Sequence, residues 1–178
     1  TATHAPSFVS ASPEVAASRQ FFSARLPIAV PFPIGLSIPQ EMTSLPQWTL
    51  LSSLKLSRPT AEEVPTLCLF DEVASTDSPS DGSVFVFNPN TPLIAIELAN
   101  CLDEKGRLTV EADRIVKQLD SYSAFTLNGD GIQIIIRARL PAGEWERDNI
   151  KVYSQSGQLN MSGIHFLGTR LTIEKRQE

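Results

Sequence analysis

The chain has 178 residues, 42% of them hydrophobic, and a formal net charge of -5. This length can build one domain with a buried core but not two full domains. The acidic balance argues against a generically basic binder of nucleic acid or membranes, because such proteins recruit polyanions with net positive charge. No apolar run approaches the ~20 residues that span a bilayer. We therefore expect no membrane partner and a cytoplasmic or nucleoid-associated location.

The two cysteines, Cys68 and Cys101, lie in apolar contexts without a CxxC pattern or a neighbouring histidine. Zinc sites need several closely spaced Cys or His ligands. The sequence therefore predicts reduced, buried thiols and no metal site built on them.

Residues 1–47 differ in composition from the rest of the chain, because they contain seven of its 13 prolines. Proline removes a backbone donor and fixes φ, which excludes a central strand or a long helix. We predict an extended Pro-rich arm over 1–47, with a helix at Ser12 to Ala24, followed by one domain over 48–178. The run LPIAVPFPIGLSIP is too apolar for a free linker, so we expect the arm to lie on the domain or on a protein partner. The chain begins at Thr1 rather than Met, as expected of a processed product or an internal segment.

The first half of the domain is predicted to be mainly strands. WTLLSSLKL and TLCLFDEV fit strands on either side of a short helix or turn at Thr60 to Val64. SVFVFN and IAIELA follow, joined by the turn NPNT, and are predicted to pair with each other as an antiparallel hairpin. Nine acids and no Lys or Arg lie between Thr60 and Glu104, so this face should repel nucleic acid.

The second half begins with a predicted helix from Val110 to Asp120, with Thr109 as its N-cap. Its apolar residues form one stripe at helical spacing. Strands are then predicted for SAFT, IQIIIRARL, NIKVY, QLNMSG and LTIEK, with the turn NGDG after SAFT and a loop at PAGEWERDN.

Two strands present polar side chains by period-two alternation. On IAIELA, Glu97 shares a face with Ala95 and Ala99. On IQIIIRARL, Gln133, Arg137 and Arg139 share a face, in a C-terminal segment (131–178) with seven Lys or Arg and five Asp or Glu. Such a face could contact phosphates, or it could be an ordinary solvated sheet surface.

Five pieces occur in an ordered series that resembles a known family. They are IELANC, LDEKGRLTVEADRIVKQLDSY, TLNGDGIQ, IKVY and MSGIH, and the run from Gly82 to Thr169 that contains them is about half of the chain. In this order and spacing they resemble the primase-polymerase domain of the archaeo-eukaryotic primase superfamily, as found in phage and plasmid replication proteins. The resemblance implies an α+β fold with an RRM-like mixed or antiparallel sheet and flanking helices.

The resemblance assigns the family's site positions to particular residues of this chain. The first catalytic acid falls on Glu97, the second acid on Ala99 and the third on Lys151. The nucleotide-contacting serine falls on Asn128 and the histidine on Gln133. The family's sheet face would carry Gln133, Arg137, Arg139, Lys151 and Tyr153. These residues, together with Asn128, are therefore candidates for nucleic-acid binding.

These substitutions bear directly on catalysis. Two-metal nucleotidyl transfer needs several carboxylates that hold two divalent cations about 3.5 to 4 Å apart. We therefore hypothesise an inactive centre without a metal cofactor, in which Lys151 pairs with Glu97; an exposed Lys151 unrelated to the site is the alternative. Two functions stay open: a non-catalytic module that binds DNA or docks a partner, and an enzyme with residual activity that uses Mg or Mn.

Overall fold

The fold is built on one large sheet whose strands follow the alternating apolar patterns of the sequence. The computed structural model describes residues 37–50, 66–74, 83–140 and 145–176. In these residues the strands are β1 (Trp48–Leu50), β2 (Ser83–Val86), β3 (Leu93–Leu98), β4 (Ser123–Thr126), β5 (Ile132–Arg137), β6 (Trp145–Arg147), β7 (Ile150–Ser154), β8 (Gln158–His165) and β9 (Glu174–Lys175). The helices are α1 (Gln40–Thr43), α2 (Phe70–Ala74) and α3 (Val110–Leu119).

The sheet has the strand order β1-β2-β8-β4-β5-β3-β7-β6, and β9 pairs with β5. All of these pairings are antiparallel except the short parallel pairing of β5 with β9. The α+β class is thus observed. No helix in the described ranges is long and apolar enough to cross a membrane.

The two faces of the sheet each carry an apolar cluster. On β3, Leu93 and Ala95 belong to the cluster under α1 and α2, whereas Ile94 and Leu98 belong to the cluster under α3. This division confirms the predicted alternation of β3, since neighbouring residues of a strand point to opposite faces. We call these the α1/α2 face and the α3 face.

Helix α3 confirms its sequence prediction closely. It spans Val110–Leu119, and its N-cap Thr109 accepts a hydrogen bond from the backbone N–H of Ala112. Asp120 ends it in the left-handed conformation (φ 37°). The predicted apolar stripe packs in the cluster on the α3 face; its members are Leu108, Ala112, Ile115, Val116 and Leu119.

The predicted hairpin of SVFVFN with IAIELA is wrong. Strand β2 pairs with β1 and β8, whereas β3 lies between β5 and β7. The register of β3 with β5 runs without a break from Leu93↔Arg137 to Leu98↔Ile132. A strand that is apolar on both faces is buried best in the middle of a sheet, and β5 is the apolar partner of equal length.

Two further predictions are corrected. The segment TLCLFDEV forms not a strand but a bridge at Cys68 followed by α2. Phe70 and Val73 are three residues apart and both buried in α2, and two acids occupy its first turn, which favours a helix there. In the predicted loop PAGEWERDN, β6 forms a hairpin with β7 across the turn Asp148–Asn149.

The described part of the predicted arm packs on the domain. The Trp48 indole N–H donates to the carbonyl of Met42 (2.9 Å), and both side chains are fully buried. The Ser37 N–H donates to the carbonyl of Gly163 in β8 (2.9 Å). The boundary after residue 47 stays a prediction. The predicted elements at 12–24 and 60–64 lie outside the described residues.

Candidate functional site

Three of the positions assigned by the family resemblance meet on neighbouring strands. Glu97 on β3 stands opposite Gln133 on β5 and opposite Lys151 on β7. The row continues to Glu146 on β6, which stands opposite Lys151. Side chains directly opposite each other on antiparallel strands share a face and lie within contact range. We call Gln133, Glu97, Lys151 and Glu146 the polar row.

Gln133 is the buried end of the polar row, with 1% of its surface exposed. Its side-chain N–H2 donates to Glu97 Oε2 (2.9 Å) and to the backbone carbonyl of Asn160 (2.8 Å). Its Oε1 is buried and has no hydrogen-bond partner among the described residues. Gln133 thus fixes one carboxylate oxygen of Glu97 and joins β3, β5 and β8, so it is not part of an open binding face.

Lys151 stands in the expected register but has a different charge partner. Its ammonium lies 3.3 Å from Glu146 Oε1; the Lys151 side chain is 45% exposed and the Glu146 side chain 62%. Among the described residues, the Lys151 ammonium does not come within 4 Å of the Glu97 carboxylate. Oε2 of Glu97 accepts a hydrogen bond from Gln133 instead. The expected Glu97–Lys151 ion pair is therefore not observed, although the two residues are adjacent.

The turn between β4 and β5 explains the two glycines of NGDG. Gly129 has φ 75°, a conformation that favours glycine. At Gly131 a Cβ atom would lie 2.1 Å from the carbonyl oxygen of Leu98 at the end of β3. The Gly131 N–H donates to the Thr126 hydroxyl (3.1 Å). These contacts hold β5 close against β3 and so place Gln133 beside Glu97.

The polar row does not fit two divalent cations. Ala99, at the position assigned to the second acid, offers no side-chain ligand, and its N–H donates to the carbonyl of Asn149 (2.8 Å). Where the structure describes the chain, it contains no group of three or more His, Cys, Asp or Glu side chains that could hold a metal. The polar row holds two carboxylates, Glu97 and Glu146, with the Lys151 ammonium between them, and this set supplies neither the ligand number nor the charge that two such cations require.

The nearby loop acids have other partners. Asp103 accepts hydrogen bonds from the backbone N–H groups of Lys105 and Arg107 and from the Arg107 guanidinium. The bonds from the Arg107 backbone and guanidinium lower the pKa of the Asp103 carboxyl. Asp148 lies in the β6–β7 turn, with its side chain 86% exposed. Both carboxylates thus lie outside the strands that carry the polar row.

The two arginines of the predicted cationic face of β5, Arg137 and Arg139, do not lie on one common surface. The Arg137 guanidinium pairs with Glu41 of α1. Arg139 lies beyond the end of β5 and lines a groove with Ile94 and Ile136, whose side chains belong to the α3 face. The two arginines thus have different surroundings, because α1 covers the region near Arg137 and β5 ends before Arg139.

The other two candidates for nucleic-acid binding lie apart from each other. Asn128 is exposed in the β4–β5 turn. Tyr153 is half-buried and stacks on Phe87, with a ring-centroid distance of 6.3 Å. Their binding roles stay predictions.

Sequence reasoning missed Glu146 and Glu41. Both lie in segments for which no strand or helix was predicted, and both pair with cations that were predicted to face a ligand. A signal for Glu146 was present, since WERDNIKVY has the alternation and the Asp-Asn turn typical of a two-residue hairpin.

Comparison with known proteins supports the resemblance in part. Over 63 residues, or 35% of this chain, the sequence is 32% identical to the DNA primase-polymerase of Nitratiruptor phage NrS-1. The chain is similar to a phage primase-polymerase. The match covers 9% of the length of the phage protein. No protein-family model matches the chain. Over the matched residues, the similarity supports a relationship to a phage DNA primase-polymerase.

Proposed function

We propose that this chain is a catalytically inactive primase-polymerase-like module of a replication or mobile-element protein, acting in DNA binding or partner docking. The polar row carries the proposal. The positions assigned to the catalytic residues are adjacent in space, but they hold Glu97, Gln133 and Lys151. The proposal thus rests on the adjacency of positions that the resemblance assigns to the catalytic centre and on side chains there that do not suit two-metal chemistry.

The loss of activity follows from charge. Several convergent carboxylates bind two divalent cations because their negative charges offset the cations' loss of water. In the polar row Lys151 adds a positive charge where the third acid would stand, and Gln133 occupies one oxygen of the remaining carboxylate. A divalent cation placed there would be repelled by the ammonium and would have too few ligands.

A primer-extension assay with Mn²⁺ and deoxynucleoside triphosphates tests the loss of catalysis, with the NrS-1 primase-polymerase as the positive control. We expect no extension by this chain and no tight Mn²⁺ binding by calorimetry. Templated extension that disappears in Glu97→Gln would overturn the proposal in favour of a residual metal-dependent polymerase that uses Mg or Mn. Extension that is unaffected by Glu97→Gln and persists after repurification of the chain would also overturn the proposal, in favour of an enzyme that uses other acids.

The DNA-binding role has its own test. Arg137 and Arg139 are the predicted phosphate contacts, and Arg114 on the exposed side of α3 provides a matched control. We expect single-stranded DNA affinity to fall steeply with salt and to fall severalfold in Arg137→Ala and Arg139→Ala but not in Arg114→Ala. Absence of binding at low salt would exclude the DNA role and leave partner docking.

A further inference from the structure

Two buried polar atoms on the α1/α2 face have no hydrogen-bond partner among the described residues. They are the Tyr122 hydroxyl and Oε1 of Gln133. Tyr122 is fully buried, and 1% of the Gln133 surface is exposed. Nearly all buried polar groups in proteins are hydrogen-bonded, so two groups without a protein partner on the same face indicate a bound ligand.

Both side chains extend over Ala124 of β4. Gln133 stands opposite Ala124, and its amide N–H2 crosses β4 to donate to the carbonyl of Asn160 on β8. The Tyr122 ring stacks on His165, with a ring-centroid distance of 5.8 Å, and His165 stands opposite Ala124. Tyr122 and Ala124 belong to the same apolar cluster on the α1/α2 face. The small Ala124 side chain therefore lies beneath both polar groups and leaves room between them.

The two atoms have complementary hydrogen-bonding character. The amide N–H2 of Gln133 already donates to Glu97 and to the carbonyl of Asn160, so the orientation of the amide is fixed and its Oε1 can only accept. Burial raises the pKa of Tyr122, so its hydroxyl keeps its proton and can donate. A ligand that accepts one hydrogen bond and donates another would satisfy both atoms.

We propose that one buried water molecule bridges the Tyr122 hydroxyl and Oε1 of Gln133. The water would accept from the phenol and donate to the amide oxygen. Buried waters in proteins typically join polar groups of this kind, with roughly two to four hydrogen bonds each. A metal ion suits the pair less well, because a neutral phenol and an amide supply no negative charge.

The proposed water would act on the polar row through Gln133. By holding Oε1, it would keep the amide N–H2 directed at Oε2 of Glu97, which lies 2.9 Å from Nε2. The inference goes beyond the proposed function and does not depend on whether the polar row has lost catalysis.

A high-resolution crystal structure of the full chain tests the site directly. We expect a solvent peak at about 2.5–3.2 Å from both the Tyr122 hydroxyl and Oε1 of Gln133. In Tyr122→Phe the peak should weaken or disappear, while the Gln133 amide keeps its bonds to Glu97 and Asn160. A direct hydrogen bond between Tyr122 and Gln133, a peak bound to only one of them, or no peak would each overturn the inference.

A double-mutant cycle tests the link in solution. Tyr122→Phe should raise the equilibrium constant of unfolding about fivefold in the natural chain but less than about twofold in Gln133→Met, where the water has lost its second partner. Thr91→Val is the control, because the Thr91 hydroxyl donates to Gln47 in a separate buried contact. Its effect should be the same in both backgrounds.

Equal effects of Tyr122→Phe in the two backgrounds would also overturn the inference. Circular dichroism checks that each variant is folded. If Gln133→Met does not fold, the crystal structures of the natural chain and of Tyr122→Phe still decide the question.

Discussion

Glu97 and Lys151 stand directly opposite each other on β3 and β7, yet the Lys151 ammonium pairs with Glu146, whose Oε1 is 3.3 Å away. Lys151 therefore has one carboxylate on each neighbouring strand, Glu97 on β3 and Glu146 on β6. It contacts Glu146, its partner in the β6–β7 hairpin. The Glu97 carboxylate instead accepts a hydrogen bond from the Gln133 amide.

Double-mutant cycles should separate the two neighbours of Lys151. We expect a coupling free energy of about 0.2–1 kcal/mol between Lys151 and Glu146, since exposed ion pairs are weak, and a smaller value between Lys151 and Glu97. The free energy of unfolding would be measured in urea for Lys151→Met, Glu146→Gln and Glu97→Gln and for the double variants. A larger coupling with Glu97 would contradict the arrangement of the polar row.

Restoring acids should restore a metal site if the three positions converge. The double variant Ala99→Asp with Lys151→Asp would place carboxylates at 97, 99 and 151, and we expect it to bind Mn²⁺ measurably by calorimetry. The matched control is Ala99→Ser with Lys151→Asn, which changes the same positions without adding carboxylates. Equal heats for the two double variants would show that the three positions do not share a site.

Gly131 should be essential for the close approach of β5 to β3. In Gly131→Ala the added Cβ would meet the Leu98 carbonyl oxygen at 2.1 Å, so the backbone must shift. We expect a loss of about 3 kcal/mol in the free energy of unfolding. Gly168→Ala is the control, because Gly168 has φ 91° but nothing within 4 Å of its added Cβ; it should cost about 1 kcal/mol. Equal losses would argue against the contact with Leu98.

Cys101 should make stability depend on pH in alkaline solution. Burial raises the pKa of its thiol to about 11, above the ordinary value of 9.0. The unfolded chain therefore releases this proton first as pH rises from 9, and the free energy of unfolding falls by an amount on the order of 2 kcal/mol between pH 9 and 11. Chemical unfolding from pH 8 to 11 should show a steeper fall for the natural chain than for Cys101→Ala. Parallel curves would contradict the buried thiol.

Much of the site could be predicted because its geometry follows from short-range patterns. Alternation placed Glu97 on the correct face of β3, and the ordered pieces aligned Glu97 with Gln133 and Lys151, which are cross-strand neighbours in the sheet. The cationic surface could not be predicted in the same way. Arg137 is 96 residues from its partner Glu41, and nothing local indicates that pairing.

The sequence by itself determined which residues share a face and where α3 begins, since side-chain alternation and helix capping are set by neighbouring residues. Only the tertiary structure decided that β3 lies between β5 and β7, that α1 covers Arg137, and that Lys151 pairs with Glu146. Strand order and ion pairing depend on contacts between distant segments, and several arrangements satisfy the same local pattern. The polar row therefore has the predicted positions but a hydrogen-bond and charge network that only the folded sheet defines.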